Sequence, residues 1–309
     1  MFILINIAVI FVTFKTINSI SDREEFSEFG LNTGYIEKKI FKNKNEVIED
    51  ARHVINDLIQ NKSFPGFVIG FTIKGKSVWT EGFGLIDIEN NVKTHKDSVW
   101  RLASISKPLT TALVGTLLDK GLLNLNKSIY DYLPENLLPV KEWNGLPVNI
   151  TLRQVLSHMA GFHLTKLPDD FVNLFEAQNV SQTLEGLKNE KLLAKPGTEY
   201  SYSNYGYQVI GAIIESVLKN DFPNEIWKMC LGLGMNSTFA EKRETLINHR
   251  PRYYSDNSGN LRNVDIIDDL FSYEGWWPSG GMVSTASDLL KFGNAMLSGF
   301  KGKDKSITL

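Results

Sequence analysis

The sequence predicts an α+β fold in which an antiparallel sheet is flanked by helices and accompanied by an all-helical lobe. Three observations carry that expectation. A helical apolar period from Glu46 runs into two β-rich stretches joined by a short glycine loop. A long apolar helical stretch follows Ser104, and residues 122–200 break into short helical pieces punctuated by Pro and Gly. With 309 residues, 42% of them hydrophobic and 22% charged, the chain can bury a sizeable core as one large or two modest domains.

In chain order, Phe2 to Phe14 is a mostly apolar run followed by Ser19-Ile20-Ser21, small residues spaced as at a signal-peptidase cut. Residues 1–21 therefore read as a targeting leader, and the pattern predicts the secretory pathway or extracellular space. The run is too short for a membrane span of ~20 residues. The first arginine is Arg23, whereas a mitochondrial presequence is Arg-rich. Residues 22–45 are charged and polar and read as a linker, so the folded domain is expected over 46–309.

Val47, Ala51, Val54, Ile55, Leu58 and Ile59 recur at helical spacing until Pro65-Gly66 breaks the pattern. Phe67 to Ile73 and Ser77 to Phe83 then form a hairpin around Lys74-Gly75-Lys76. An extended stretch from Ser98 to Ala103 leads into a helix through Leu109, Ala112, Leu113, Thr116 and Leu117, ended by Gly121, with Pro108 tolerated in its first turn. In the lobe, helical stretches are expected at Leu152 to His158 and Val180 to Leu193, with no strand. Tyr205 to Val217 forms a helix with Val209, Ile210, Ile213 and Ile214 inward, and another surrounds Ile226 to Cys230. Thr285 and Asp288 form a capping box for a helix through Leu289, Leu290, Phe292 and Met296.

A formal net charge of −2 and the lack of any Lys/Arg run argue against nucleic acid or an anionic membrane surface as partner. Cys230 is the only cysteine, so no intramolecular disulfide can form, and it reads as a small buried residue. The five histidines show no metal-ligand spacing, so neither metal nor cofactor is expected.

S-x-x-K occurs three times, at Ser104/Lys107, Ser216/Lys219 and Ser298/Lys301. The last two lie near expected helix C-termini, where exposed carbonyls repel a forming alkoxide. Ser104 lies at a helix start, where the dipole and free N–H groups favour negative charge. One turn on, Lys107 shares its face and, if desolvated, can take the Ser104 proton; alone, it could equally be a surface lysine. Tyr202-Ser203-Asn204 is the only Y-x-N, placed between a Pro196-Gly197 turn and a helix. Tyr202 can relay protons between Ser104, leaving group and water, and Asn204 can hold a substrate amide. Aromatic packing is the other fate open to Tyr200, Tyr202, Tyr205 and Tyr207.

Four blocks resemble the class C β-lactamase and penicillin-binding-protein family, in that family's order. They are Trp100-Arg101-Leu102-Ala103-Ser104-Ile105-Ser106-Lys107, the stretch from Ile150 through Leu156-Ser157-His158 to Gly161, Pro196-Gly197 with Tyr200 and Tyr202-Ser203-Asn204, and Gly280-Gly281-Met282-Val283-Ser284-Thr285. The resemblance covers roughly residues 46 to 300 and implies a β-lactamase/transpeptidase-like fold. It implies Ser104 as acylated nucleophile, Lys107 and Tyr202 as its activators and Asn204 as substrate ligand. Asp288 to Leu297, with Arg252-Tyr253-Tyr254, is most similar to the mitochondrial serine β-lactamase-like branch of animals, which implies a mitochondrial address as the alternative to secretion.

The resemblance also implies a K-T-G or H-T-G on a strand facing Tyr202, and the sequence contains neither. That strand supplies one of two oxyanion-hole donors, and loss of one typically costs about 10² to 10³ in rate. Without the strands that follow, the Phe67–Phe83 hairpin is expected to keep an open edge and an uncovered apolar face. A domain truncated at its C-terminus is the corresponding expectation. The function expected is a serine hydrolase cleaving an amide bond, in a peptide or other small amide; the alternative is a catalytically silent binding or regulatory protein.

Overall fold

The computed structural model describes residues 44–62, 65–164, 177, 179–242, 244–257, 260–264 and 274–300; the expected leader, residues 22–43 of the expected linker and Lys301 lie outside them. Helix α1 (Lys44–Lys62) precedes β1 (Gly66–Ile73) and β2 (Lys76–Asp87), an antiparallel hairpin closed by Lys74 and Gly75. Both turn residues are left-handed, at φ 52° and 79°, as a tight hairpin whose twist matches its strands requires. The short β3 (Val92–Lys93) pairs with the far side of β2.

Alternation along the hairpin sends Phe67, Ile69, Phe71, Trp79 and Phe83 to one face, where they meet Ile48, Ala51, Ile55 and Ile59 of α1. Phe67 stacks on Phe83 at 5.8 Å and Trp79 meets Phe83 edge-on at 6.0 Å. Glu81 on the same face accepts from Arg52 at 2.8 Å and Trp79 Nε1 at 2.6 Å. The inward stripe of α1 thus differs from the one expected. Ile48 replaces Val47, Val54 and Leu58, which are exposed, because only the Ile48-Ala51-Ile55-Ile59 row faces the aromatic rings.

The remaining elements among the described residues are β4 (Trp100–Arg101), a 3₁₀ turn at Ala103–Ile105, α2 (Ser106–Asp119), a second 3₁₀ turn at Ile129–Asp131, β5 (Glu142–Trp143), β6 (Leu146–Pro147), α3 (Leu152–Leu156), α4 (Val180–Thr183), α5 (Glu185–Lys188), α6 (Asn204–Leu218), α7 (Phe222–Gly232), β7 (Phe239–Ala240), β8 (Tyr254–Asn257), β9 (Asn260–Asn263), β10 (Met282–Ser284) and α8 (Ala286–Phe300). A second small sheet has the order β4-β10-β7, so β10 ties the segment before Ser104 to the C-terminal part of the chain.

Helix α2 runs through the middle of the larger core. Leu109, Leu113, Val114 and Leu117 belong to one core cluster with Val209, Ile210, Ile213 and Ile214 of α6, Phe222 and Ile226 of α7, and Leu289 and Phe292 of α8. Burying each such side chain contributes about 1.5–3 kcal/mol, so the helix that starts at the site is anchored on its flanks.

Four further expectations need correction. The second face of the hairpin is not bare: a Cβ at Gly70 would lie 3.0 Å from Leu290 Cδ1 of α8, and Thr72 Oγ1 donates to Asn294 Oδ1 at 2.9 Å. The lobe contains the β5–β6 hairpin, whose Asn144-Gly145 turn has φ of 54° and 75° and whose strands are too short to leave an alternating pattern. The expected Val180 to Leu193 helix is two four-residue helices, α4 and α5, meeting at Leu184. Ser104 sits in the 3₁₀ turn that feeds α2, not in the α-helix itself.

Thr285 Oγ1 accepts the Asp288 N–H at 3.2 Å, and the Asp288 carboxylate turns to the Ser237 N–H, Thr238 Oγ1 and Lys291 Nζ. Among the described residues no helix is long and apolar enough to cross a membrane.

Candidate active site

The residue before Ser104 is strained: Ala103 has φ 46°, a left-handed conformation rare for a side chain with a Cβ. It turns the chain sharply from β4 into α2 and leaves Ser104 exposed while Lys107, one turn on, is 4% exposed. The far wall is the turn Trp276–Gly281, in which the N–H groups of Ser279, Gly280 and Gly281 converge on the Trp276 carbonyl. It is fastened to α2 at three points: Thr110 Oγ1 donates to Pro278 O at 2.8 Å, Lys107 Nζ to Ser279 O at 2.7 Å, and the Met282 N–H to Ser106 Oγ at 3.2 Å.

All four residues expected at the site come together. Lys107 Nζ lies 3.2 Å from Ser104 Oγ and 2.9 Å from Asn204 Oδ1, and Tyr202 donates its hydroxyl to Ser104 Oγ at 2.8 Å. Asn204 begins α6, and Ser203 caps that helix by accepting the Gly206 N–H at 3.1 Å. Lys107 Nζ also lies 4.7 Å from the centroid of the Tyr202 ring.

Burial lowers the Lys107 pKa from 10.5 to about 7. The contact set suits the neutral amine. A neutral –NH₂ has two N–H donors and one lone pair. Asn204 Oδ1 and Ser279 O can only accept, so they take the two hydrogens and leave the lone pair for the Ser104 hydroxyl. The arrangement can thus move a proton off a serine that is open to solvent.

The other S-x-x-K serines are occupied differently. Ser216 Oγ donates to Tyr132 O at 2.7 Å from the end of α6, and Ser298 lies near the end of α8 with Lys301 outside the described residues. No cluster of three or more His, Cys, Asp or Glu side chains able to hold a metal occurs among the described residues.

Sequence reasoning missed three parts of the site. The Ser279 carbonyl is a backbone group, legible only as a Pro278-Ser279-Gly280-Gly281 turn signal. Gln208, fully buried, steadies Ser279 by donating to its Oγ at 3.2 Å. His158, in the second of the four blocks, carries no signal of a site role in the sequence, and its ring lies 4.5 Å from that of Tyr202.

The sequence profile of the family described as Beta-lactamase matches residues 51–307. The chain belongs to the beta-lactamase family. That family is one of serine hydrolases, and the penicillin-binding-protein-like resemblance of the four blocks agrees with it. The beta-lactamase-type chain is 30% identical over 318 residues to the human "Serine beta-lactamase-like protein LACTB, mitochondrial", a match covering 82% of this chain and 57% of that protein. It therefore spans a little over half the length of this curated relative. Among solved structures it resembles the octameric penicillin-binding protein homologue from Pyrococcus abyssi, with TM-score 0.71 and 23% identity over 84% of this chain and 58% of that one. It also resembles a class C beta-lactamase, with TM-score 0.66 and 20% identity over 88% and 69% of the two chains. At those identities the likeness shows the fold, β-lactamase/transpeptidase-like and α+β.

Proposed function

We propose that the protein cleaves an amide bond, in a peptide or other small amide, through an acyl-Ser104 intermediate. The observation that carries this reading is the single oxygen, Ser104 Oγ, lying within hydrogen-bond reach of both Lys107 Nζ and Tyr202 Oη. Neutral Lys107 takes the Ser104 proton as Oγ attacks the carbonyl carbon. Tyr202 gives its proton to the leaving nitrogen as the C–N bond breaks, and Lys107 returns a proton to the tyrosine. Water then attacks the ester, losing one proton to the site while Ser104 Oγ regains one, which releases the acid and restores the starting state. Asn204, fixed by Lys107, orients the substrate amide.

The test is treatment with a fluorophosphonate probe, peptide mass spectrometry, and hydrolysis of p-nitrophenyl acetate and a peptide anilide by wild type and Ser104→Ala. An adduct on Ser104 with turnover abolished in the variant is expected. An unmodified Ser104 in folded protein overturns the reading. A second reading is a binding protein whose Ser104 is acylated without turnover. An adduct on Ser104 without hydrolysis of either substrate would select it.

For location, the apolar leader supports secretion, and the name of the human relative supports mitochondria. Residues 1–45 fused to a fluorescent protein would go to one compartment or the other.

A further inference from the structure

Tyr202 is held less by its own element than by the segment after α3. Ser201 N–H donates to His158 O at 2.8 Å and Ser201 Oγ to Phe162 O at 3.1 Å. Ser203 Oγ donates to His163 O, and the Asn204 N–H to Leu164 O at 3.1 Å. Within this grip His158 is singular, because it holds the residues on both sides of Tyr202. Its carbonyl takes Ser201 N–H, and its ring Nδ1 takes Ser203 N–H at 3.1 Å. Its ring also lies against Tyr202 at 4.5 Å, tilted by 31°.

We infer that His158 is the positioning residue for Tyr202, acting as a neutral imidazole whose Nδ1 must stay unprotonated for the Tyr202 hydroxyl to be aimed at Ser104. An Nδ1 that accepts an N–H carries no proton, so the ring hydrogen is on Nε2. Protonating Nδ1 would set two N–H groups against each other and release one side of the clamp. The backbone agrees with a fixed role: His158 has φ 59°, where a non-glycine residue is held only by its surroundings.

The groups facing the ring are Lys107 from α2, Tyr200 and Tyr202 from the loop before α6, and Tyr207 from α6. Burial first, and the Lys107 charge second, lower the His158 pKa, and both therefore favour the neutral imidazole. The inference rests on Tyr202 acting in proton transfer at Ser104.

The experiment measures kcat, KM and the pH profile of p-nitrophenyl acetate hydrolysis for wild type, Tyr202→Phe, His158→Leu and His158→Asn, with thermal melts of each. Leucine removes the acceptor. Asparagine tolerates left-handed φ and carries Oδ1 on its γ carbon, where histidine carries Nδ1. His158→Leu is expected to lose about 10²-fold in kcat with KM little changed, the usual effect of a misplaced catalytic group. His158→Asn is expected to recover most of that loss. In wild type the acid limb should steepen from a one-proton to a two-proton slope as first Lys107 and then His158 gains a proton. His158→Asn should keep the one-proton slope throughout.

A folded His158→Leu as fast as wild type while Tyr202→Phe is slow overturns the inference and leaves the function intact. So does a two-proton limb that survives in His158→Asn. A Tyr202→Phe protein as fast as wild type instead overturns the role given to Tyr202.

Discussion

Replacing Lys107 by methionine isolates the buried amine. Met keeps the unbranched length and removes the titratable group. In the folded protein the amine holds its proton only up to about pH 7; in the unfolded chain it does so up to the ordinary 10.5. Between those values the unfolded state binds more protons, so stability rises with pH across the window. The contribution of the neutral amine is complete above 10.5 and gone below 7. At 1.36 kcal/mol per pKa unit, the penalty for burying this lysine is about 5 kcal/mol near pH 6 and about 2 kcal/mol near pH 9.

Lys107→Met has no such penalty, while its loss of the contacts to Asn204 and Ser279 is independent of pH. Urea unfolding of both proteins near pH 6, 7, 8 and 9 should therefore show wild type gaining about 3 kcal/mol on the variant as pH rises. Titrations of groups that do not interact with Lys107 are common to both and cancel. A stability difference that stays constant with pH would refute a lysine buried neutral at this site, and with it the proton acceptor for Ser104.

Three further outcomes follow from burial and backbone geometry. Leu109→Ala, at a fully buried position in α2, should cost about 2–5 kcal/mol in urea unfolding, and a loss below about 1 kcal/mol would mean that α2 is not central to the core. Gly161→Ala places a Cβ 2.2 Å from Ala194 O at φ 77°; it should destabilise by more than about 1 kcal/mol and slow Ser104 acylation through the segment gripping Tyr202, and a variant matching wild type in both would contradict that geometry. Burial pushes the Cys230 thiol up to about 12, so Ellman's reagent at about pH 8 should label nothing in native protein and one thiol in urea, and rapid native labelling would contradict the burial of α7.

The four residues that meet at the site were legible because each rests on a strong local signal. Ser104 and Lys107 are one turn apart at the start of an apolar helix, and Tyr202-Ser203-Asn204 precedes another with a serine cap. Less was legible where tertiary contact chooses between equal local options. Helix α1 carries two adjacent apolar rows, and only Trp79 and Phe83 across the gap decide that Ile48 and Ile55 go in while Val47 and Val54 stay out. Two-residue strands such as β4, β5 and β7 are too short for any alternation to appear. The Ser279 carbonyl has no side-chain signature, and the role of His158 depends on which ring nitrogen points at the Ser203 amide.

The covering of the hairpin by α8 also sets a timetable for synthesis. Thr72 and Asn294, joined across that face, are 222 residues apart in the chain. At about 5–20 residues per second the ribosome needs roughly ten to forty seconds to make the second after the first. Through that interval β1 and β2 can close their own turn and lay their aromatic face on α1, which comes before them. Their other face, with Val68, Gly70 and Thr72, stays open until α8 has been made. The nascent chain is thus open to misassociation along this hairpin, and a chaperone that shields it must act on residues 66–87 long before Ser104 has its finished surroundings.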